Sequence, residues 1–242
     1  MIKTLLFTFV LIASMQVFAQ VNYKTDPNAQ LRNMSGSFSA ISVSSGLTVY
    51  LMAADAEEVR ISVADPKKAE AIKIDVENAV LKISYDYNLV KRMKSNSEKI
   101  IVYINYKALN KISASSGSIV QFINPLNTAS LGLNLESGAI CKGEIVAESF
   151  ALVAGSGAIV DIFGTANSAN ISMGSGAIFK NYNFKTKDAV IKLNSGALCT
   201  ITVNNSLTAK VSSGASLNYK GTATSTNVTK SIGSSVKKVS KK

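Results

Sequence analysis

From residue 112 to residue 236 apolar residues alternate with polar or small ones, and a Ser-Gly pair interrupts the alternation at near-regular intervals. The pattern apolar-x-apolar-x-Ser-Gly-small-x-apolar reads ISASSGSIV at 112–120, LNLESGAIC at 133–141 and LVAGSGAIV at 152–160. It continues as ISMGSGAIF at 171–179, IKLNSGALC at 191–199 and AKVSSGASL at 209–217, and closes in a degraded VTKSIGSSV at 228–236. The glycines are Gly117, Gly138, Gly157, Gly176, Gly196, Gly214 and Gly233, separated by 21, 19, 19, 20, 18 and 19 residues. Alternation of period two with β-branched and aliphatic residues predicts strands, and nothing in the repeat has helical periodicity. A unit of about 19 residues is too short for a four-stranded propeller blade and lacks the spaced leucines of a leucine-rich repeat. It fits one coil of a β-solenoid, with two or three short strands joined at corners. The predicted fold is therefore all-β, a right-handed β-helix.

Stacking the coils turns aligned positions into columns. Three residues after each glycine stand Val120, Cys141, Val160, Phe179, Cys199, Leu217 and Val236. Five residues before stand Ile112, Leu133, Leu152, Ile171, Ile191, Ala209 and Val228. Both columns are assigned to the core. The glycines mark a corner that needs positive φ or a close approach between backbones, and the alanines that follow, such as Ala139 and Ala158, are small because the corner is crowded. The preceding serines, Ser116, Ser137, Ser156, Ser175, Ser195 and Ser213, are expected to form a hydroxyl ladder. Cys141 and Cys199 fall three coils apart, roughly 14 Å at the strand spacing, too far for a disulfide. Each is read as a small buried hydrophobe.

Residues 20–111 share this alphabet without the period. FSAISVSSGLTVYL at 38–51 holds an early Ser-Gly corner at Gly46, and strands are predicted at 58–63, 71–76, 80–85 and 99–106. Asp65-Pro66 and Glu77-Asn78 mark turns. The stretch 86–99, with Lys91, Arg92 and Lys94, reads as a long basic loop. An open solenoid end leaves strand edges unpaired, so 20–111 is expected to be a less regular all-β cap continuous with the repeats at 112–236. A basic tail, 237–242, discourages edge-to-edge association at the other end.

At the amino terminus Lys3, the apolar run 5–12 and the exit Val17-Phe18-Ala19 predict a secretory signal peptide over 1–19, cleaved between Ala19 and Gln20. Gln20 is not cysteine, so lipid attachment at the new terminus is not expected, and no later stretch is long and apolar enough for a membrane-spanning helix. Periplasmic or extracellular localisation follows.

The formal net charge of +11 favours acidic partners. From residue 112 onward 12 lysines face five acids, Glu136, Glu144, Glu148, Asp161 and Asp188. Nucleic acid is not expected, because aromatics are not interleaved with the lysines and export removes the chain from the cytoplasm. The chain has no histidine, which excludes Ser-His and Cys-His nucleophiles and histidine metal sites. The five acids occupy different columns, so neither a catalytic carboxylate ladder nor a calcium site is predicted. The S-x-x-K spacings at Ser234 and Ser235 lie in the tail, and the Gly-Ser-Gly pairs at 155–157 and 174–176 are repeat corners without the helix a nucleotide loop requires.

The opening FSAISVSSGLTVYL, the strands ending in VLKISY, the segment IIVYINYKALNKISASSGSIV and the string of SGA corners resemble the family called putative autotransporter adhesin, head GIN domain. The similarity covers residue 38 to about residue 236 and implies a β-helical protein of an envelope with an outer membrane, without a catalytic motif to carry over. The leading expectation is a structural or adhesive envelope module, not an enzyme, needing no cofactor or metal and contacting an acidic glycan, lipopolysaccharide or envelope protein. A carbohydrate-active enzyme (polysaccharide lyase or glycosidase) and a self-assembling scaffold are the alternatives. Release of reducing ends from a glycan panel would favour the first, and self-association at high concentration the second.

Overall fold

The structure is a computed structural model and describes residues 23–86, Leu89 and 99–240. The expected signal segment with its Ala19–Gln20 junction, most of the basic loop including Lys91, Arg92 and Lys94, and the last two lysines lie outside the described residues. Strands make up 63% of the chain and helix 4%, arranged as a β-solenoid.

The irregular half contains β1 (Ala29–Arg32), β2 (Ala40–Val43), β3 (Thr48–Ala53) and β4 (Glu58–Ser62). After β4 comes a single helical turn, α1 (Pro66–Glu70), where the sequence suggested only a turn. Asp65 caps it by accepting a hydrogen bond from the Lys67 N–H at 3.0 Å, and Pro66 supplies a preset φ and lacks an N–H that would go unpaired there. Then follow β5 (Ile72–Glu77), β6 (Val80–Tyr85) and β7 (Ile101–Tyr106). Asn78 and Ala79, both at positive φ, close the β5–β6 hairpin.

The repeats supply β8 (Lys111–Ala114), β9 (Ile119–Phe122), β10 (Leu126–Leu135), β11 (Ile140–Ala154), β12 (Ile159–Met173), β13 (Ile178–Leu193) and β14 (Leu198–Val211). They end in β15 (Ser216–Lys220), β16 (Ser225–Lys230) and β17 (Ser235–Lys238). All pairing from β8 onward is parallel.

A full coil is one long bent strand instead of separate short ones. Along β11, Cys141, Ile145, Ala147, Phe150, Leu152 and Ala154 face inward, but three successive residues at 142–144 and two at 148–149 do not. Each slip in the alternation turns the strand while the ladder to β12 persists. The third corner is the Ser-Gly turn, so a coil has three faces. At that turn Ser137 and Gly138 have φ of 52° and 72°, and Ala139 N–H donates to the Glu136 carbonyl at 3.1 Å, a two-residue turn with both residues left-handed.

Consecutive Ser-Gly corners are joined by backbone. Gly138 N–H donates to the Ser156 carbonyl at 3.0 Å, and Gly157 N–H to that of Ser175 at 2.9 Å. The serine side chains themselves are exposed, so the expected hydroxyl ladder is not what holds the corners. The following Ala139, Ala158, Ala177, Ala197 and Ala215 point into the core at 0–1% exposure.

The column three residues after the glycines is continuous. Val120, Cys141, Val160, Phe179, Cys199, Leu217 and Val236 are consecutive ladder partners, and the series extends backward through Val49 to Val102. Val160 and Phe179 separate the two cysteines, which are free and buried. The second column runs from Ile112 to Ala209 as expected, but its last member, Val228, is 37% exposed. Val228 stacks on the small Ala209, and no described coil lies beyond it, so the core assignment fails at the final rung.

The cap has an interleaved order. β2 lies between β6 and β8, and β3 between β7 and β9, all parallel. Outside them β5 pairs antiparallel with β6, β4 with β7, and β1 with β4, which covers the edges that a bare solenoid would present.

Candidate functional site

The third face, which begins at β10, carries the candidate site. One line of its inward positions is small or short, with Thr128, Ala147, Ala166, Thr186 and Val203 as successive partners, beside a line that buries Leu126, Ile145 and Phe184. Over the small line runs a trough of about 580 Å³ spanning five strands, β10 to β14.

The trough walls are outward columns. Asn127, Val146, Thr165, Lys185 and Thr202 are consecutive partners along one wall. Glu148, Asn167, Lys187 and Asn204 line the other side, at the bend. Beneath them Thr186, 1% exposed, donates its hydroxyl to the Asp188 carbonyl at 2.9 Å, which satisfies a polar group inside the coil.

A serine column borders the bend. Ser130, Ser149 and Ser168 lead to Asp188 and then to Ser206 and Ser225. Asp188 replaces a serine here, and its carboxylate accepts from Ser206 Oγ at 2.5 Å and Asn205 Nδ2 at 2.7 Å. The Ser206 hydroxyl first, and then the Asn205 amide, hold the Asp188 carboxyl below the usual carboxylate range.

Toward β17 the trough continues into a second hollow of about 510 Å³, which shares Lys185 and Asn204 with the first. Lys185, Lys220 and Lys238 line it, from three different strands, and no carboxylate is among its lining side chains. Lys185, Thr202 and Lys220 are successive partners on one line. The Lys220 ammonium lies 4.3 Å from the centre of the Tyr182 ring.

The remaining sequence candidates are placed as follows. The corner glycines Gly117, Gly138, Gly157, Gly176, Gly196 and Gly214 lie at Ser-Gly turns with φ of 71° to 75°, a structural position. Glu148 lines the trough, whereas Glu144 is not among its lining residues. Among the described residues no three Asp, Glu or Cys side chains gather to hold a metal ion. Burial raises the thiols of Cys141 and Cys199 to about 12, so both are neutral and packed rather than nucleophilic.

The trough residues escaped the sequence reading. Pairing slips between Val160 and Gly164, between Lys180 and Lys185, and again between Thr186 and Asp188. A fixed offset from each glycine therefore does not recover the line from Asn127 to Thr202.

Residues 37–223 match the model of the family described as "Putative auto-transporter adhesin, head GIN domain". Among solved structures, the chain is similar to a "putative adhesin" from Bacteroides fragilis, with a TM-score of 0.76 and 20% identity over 87% of this chain and 96% of that one. A "putative adhesin" from Parabacteroides merdae gives a TM-score of 0.67 and 17% identity over 88% of this chain and 97% of that one. A "putative lipid binding protein" from Parabacteroides distasonis gives 0.61 and 17%, over 88% and 98%. These likenesses show a shared fold. No protein of curated function matches. Among the described residues no helix is long and apolar enough to cross a membrane.

Proposed function

The chain belongs to the auto-transporter adhesin, head GIN domain family, and from that premise we propose that it is an exported, non-catalytic binding module that holds an acidic glycan in the trough of its third face. The observation that carries this reading is the wall of amide, hydroxyl and ammonium side chains repeated from coil to coil along one concave face. Strand spacing sets the repeat at about 4.8 Å, close to the advance of one pyranose along an extended glycan. Asn127, Thr165, Asn167 and Asn204 donate and accept, as sugar hydroxyls require. Lys185 and Lys187 supply charge for acidic units, against the single carboxylate of Glu148.

Adhesion is the role in the names of the Bacteroides fragilis and Parabacteroides merdae neighbours, and it suits a fold whose outward columns offer a long contact surface. Export places the module in the periplasm or outside the cell, and amino-terminal sequencing of protein recovered from the envelope should begin at Gln20.

The test is retention on immobilised alginate and hyaluronate. Retention is expected to fall as salt rises, because exposed lysines are screened. It should fall further in the double variant Asn167→Ala, Lys187→Ala, whose side chains face solvent. Retention indifferent both to salt and to this variant would reject the trough as the binding surface.

A further inference from the structure

We infer that the hollow at the β17 end of the trough is a phosphate subsite, which takes the phosphate monoester of a phosphorylated sugar. This rests on the glycan reading above and names the acidic group of that glycan.

Three observations converge. First, Lys185 on β13, Lys220 on β15 and Lys238 on β17 line one hollow, and none of the three pairs with a carboxylate among the described residues. The Lys238 ammonium also donates to the Ala223 carbonyl at 3.4 Å, and an anion drawn into the hollow meets three positive side chains and no carboxylate. Second, Lys185 and Lys220 stand two rungs apart on one line with Thr202 between them. Their backbones are roughly 10 Å apart, a gap that two extended lysine side chains span around one anion. The Lys220 ammonium is set over the Tyr182 ring at 4.3 Å, which fixes its position at the edge of the hollow. Third, the cations are all lysine. Lysine is a compact point charge with three rotatable donors, and three such groups carry more positive charge than a single carboxylate balances. A phosphate monoester carries a charge of about −1.5 to −2 at neutral pH and three acceptor oxygens, in keeping with three ammonium donors.

The sugar is argued from continuity. The hollow opens into the trough through Lys185 and Asn204, so a phosphate seated between the lysines leaves its sugar at the start of the polar wall.

Calorimetric titration of the full chain with glucose 6-phosphate, glucuronate, glucose and inorganic phosphate tests this. Glucose 6-phosphate is expected to bind more tightly than glucuronate or inorganic phosphate, and glucose not detectably. Lys220→Gln with Lys238→Gln should weaken glucose 6-phosphate by about tenfold or more while the circular dichroism spectrum stays unchanged, since Lys238 is exposed, Lys220 is half-buried and neither side chain enters the core. Equal affinity for glucuronate, or no loss in the double variant, overturns the subsite. Inorganic phosphate binding as tightly as glucose 6-phosphate overturns the sugar assignment. Binding to vesicles containing phosphatidic acid without binding to soluble phosphosugar also overturns it, in favour of a membrane headgroup. Asn167→Ala separates the two readings. It should lower polysaccharide retention and leave glucose 6-phosphate affinity intact, so failure of the trough and failure of the subsite give different results.

Discussion

Ser118 occupies the inward position that alanine holds in the next five coils, and its buried hydroxyl has no partner. An unpaired buried hydroxyl costs about 1–3 kcal/mol, and alanine fits the same space. Ser118→Ala is therefore expected to stabilise the fold by about 1 kcal/mol, seen as a higher melting temperature; a lower one would show that the hydroxyl is satisfied. Asp188 sets a pH dependence at the same scale. Its folded pKa is depressed by Ser206 and Asn205, so its contribution is present above the unfolded value near 3.8 and is lost as pH falls through the lower folded one. Asp188→Asn should shrink the loss of melting temperature between neutral pH and pH about 3, and should matter little at the alkaline end. The glycines and alanines of the corners were legible in the sequence because each is dictated locally, by a left-handed φ or by an inward Cβ. Asp188 was not, because its partners belong to the adjacent coil, 17 and 18 residues on.

The coil is the unit of packing, and its central column is the strongest mechanical test of the architecture. Val160 is 1% exposed between Cys141 and Phe179, so Val160→Asp places a charge with no counterion in the stack. The expected cost is several kcal/mol, on the order of total stability, and the readout is loss of soluble folded protein. A soluble variant with the parent's melting curve would contradict the inward assignment. Alternation predicted this column and the parallel strands, since a strand that buries every second residue announces its face. It could not predict that each coil bends twice without breaking. Those bends appear only as short lapses in alternation, such as 142–144, and one of them needs Gly164, where a Cβ would stand 2.1 Å from the Ile145 carbonyl oxygen. The Phe184 ring lies 5.1 Å from that of Phe150 and 5.6 Å from that of Phe179, and Phe184 is the ladder partner of Gly164 on the third face. Large and small residues thus alternate between coils, which a motif defined by its corner does not record.

Across the whole molecule the two ends differ. β16 has no buried residue, whereas β11 to β13 bury inward residues on each of their faces. Amide hydrogen exchange should therefore be fastest in β16 and β17 and slowest in β11 to β13, with coil-by-coil protection rising from the C-terminal end. Uniform protection would indicate that the final coil is covered. The solenoid was readable from one repeat, and the existence of strands in the cap from their alternation. Its order was not, because antiparallel covering strands and parallel coils use the same residues. That order bears on biogenesis. A ribosome or an export channel delivers the chain from its amino terminus, yet β2 and β3 find their second neighbours only when residue 122 has emerged. Early-made polypeptide must wait, half-zipped, for later polypeptide to close over it, and any chain cut short before that point leaves two sticky seams for a chaperone to guard.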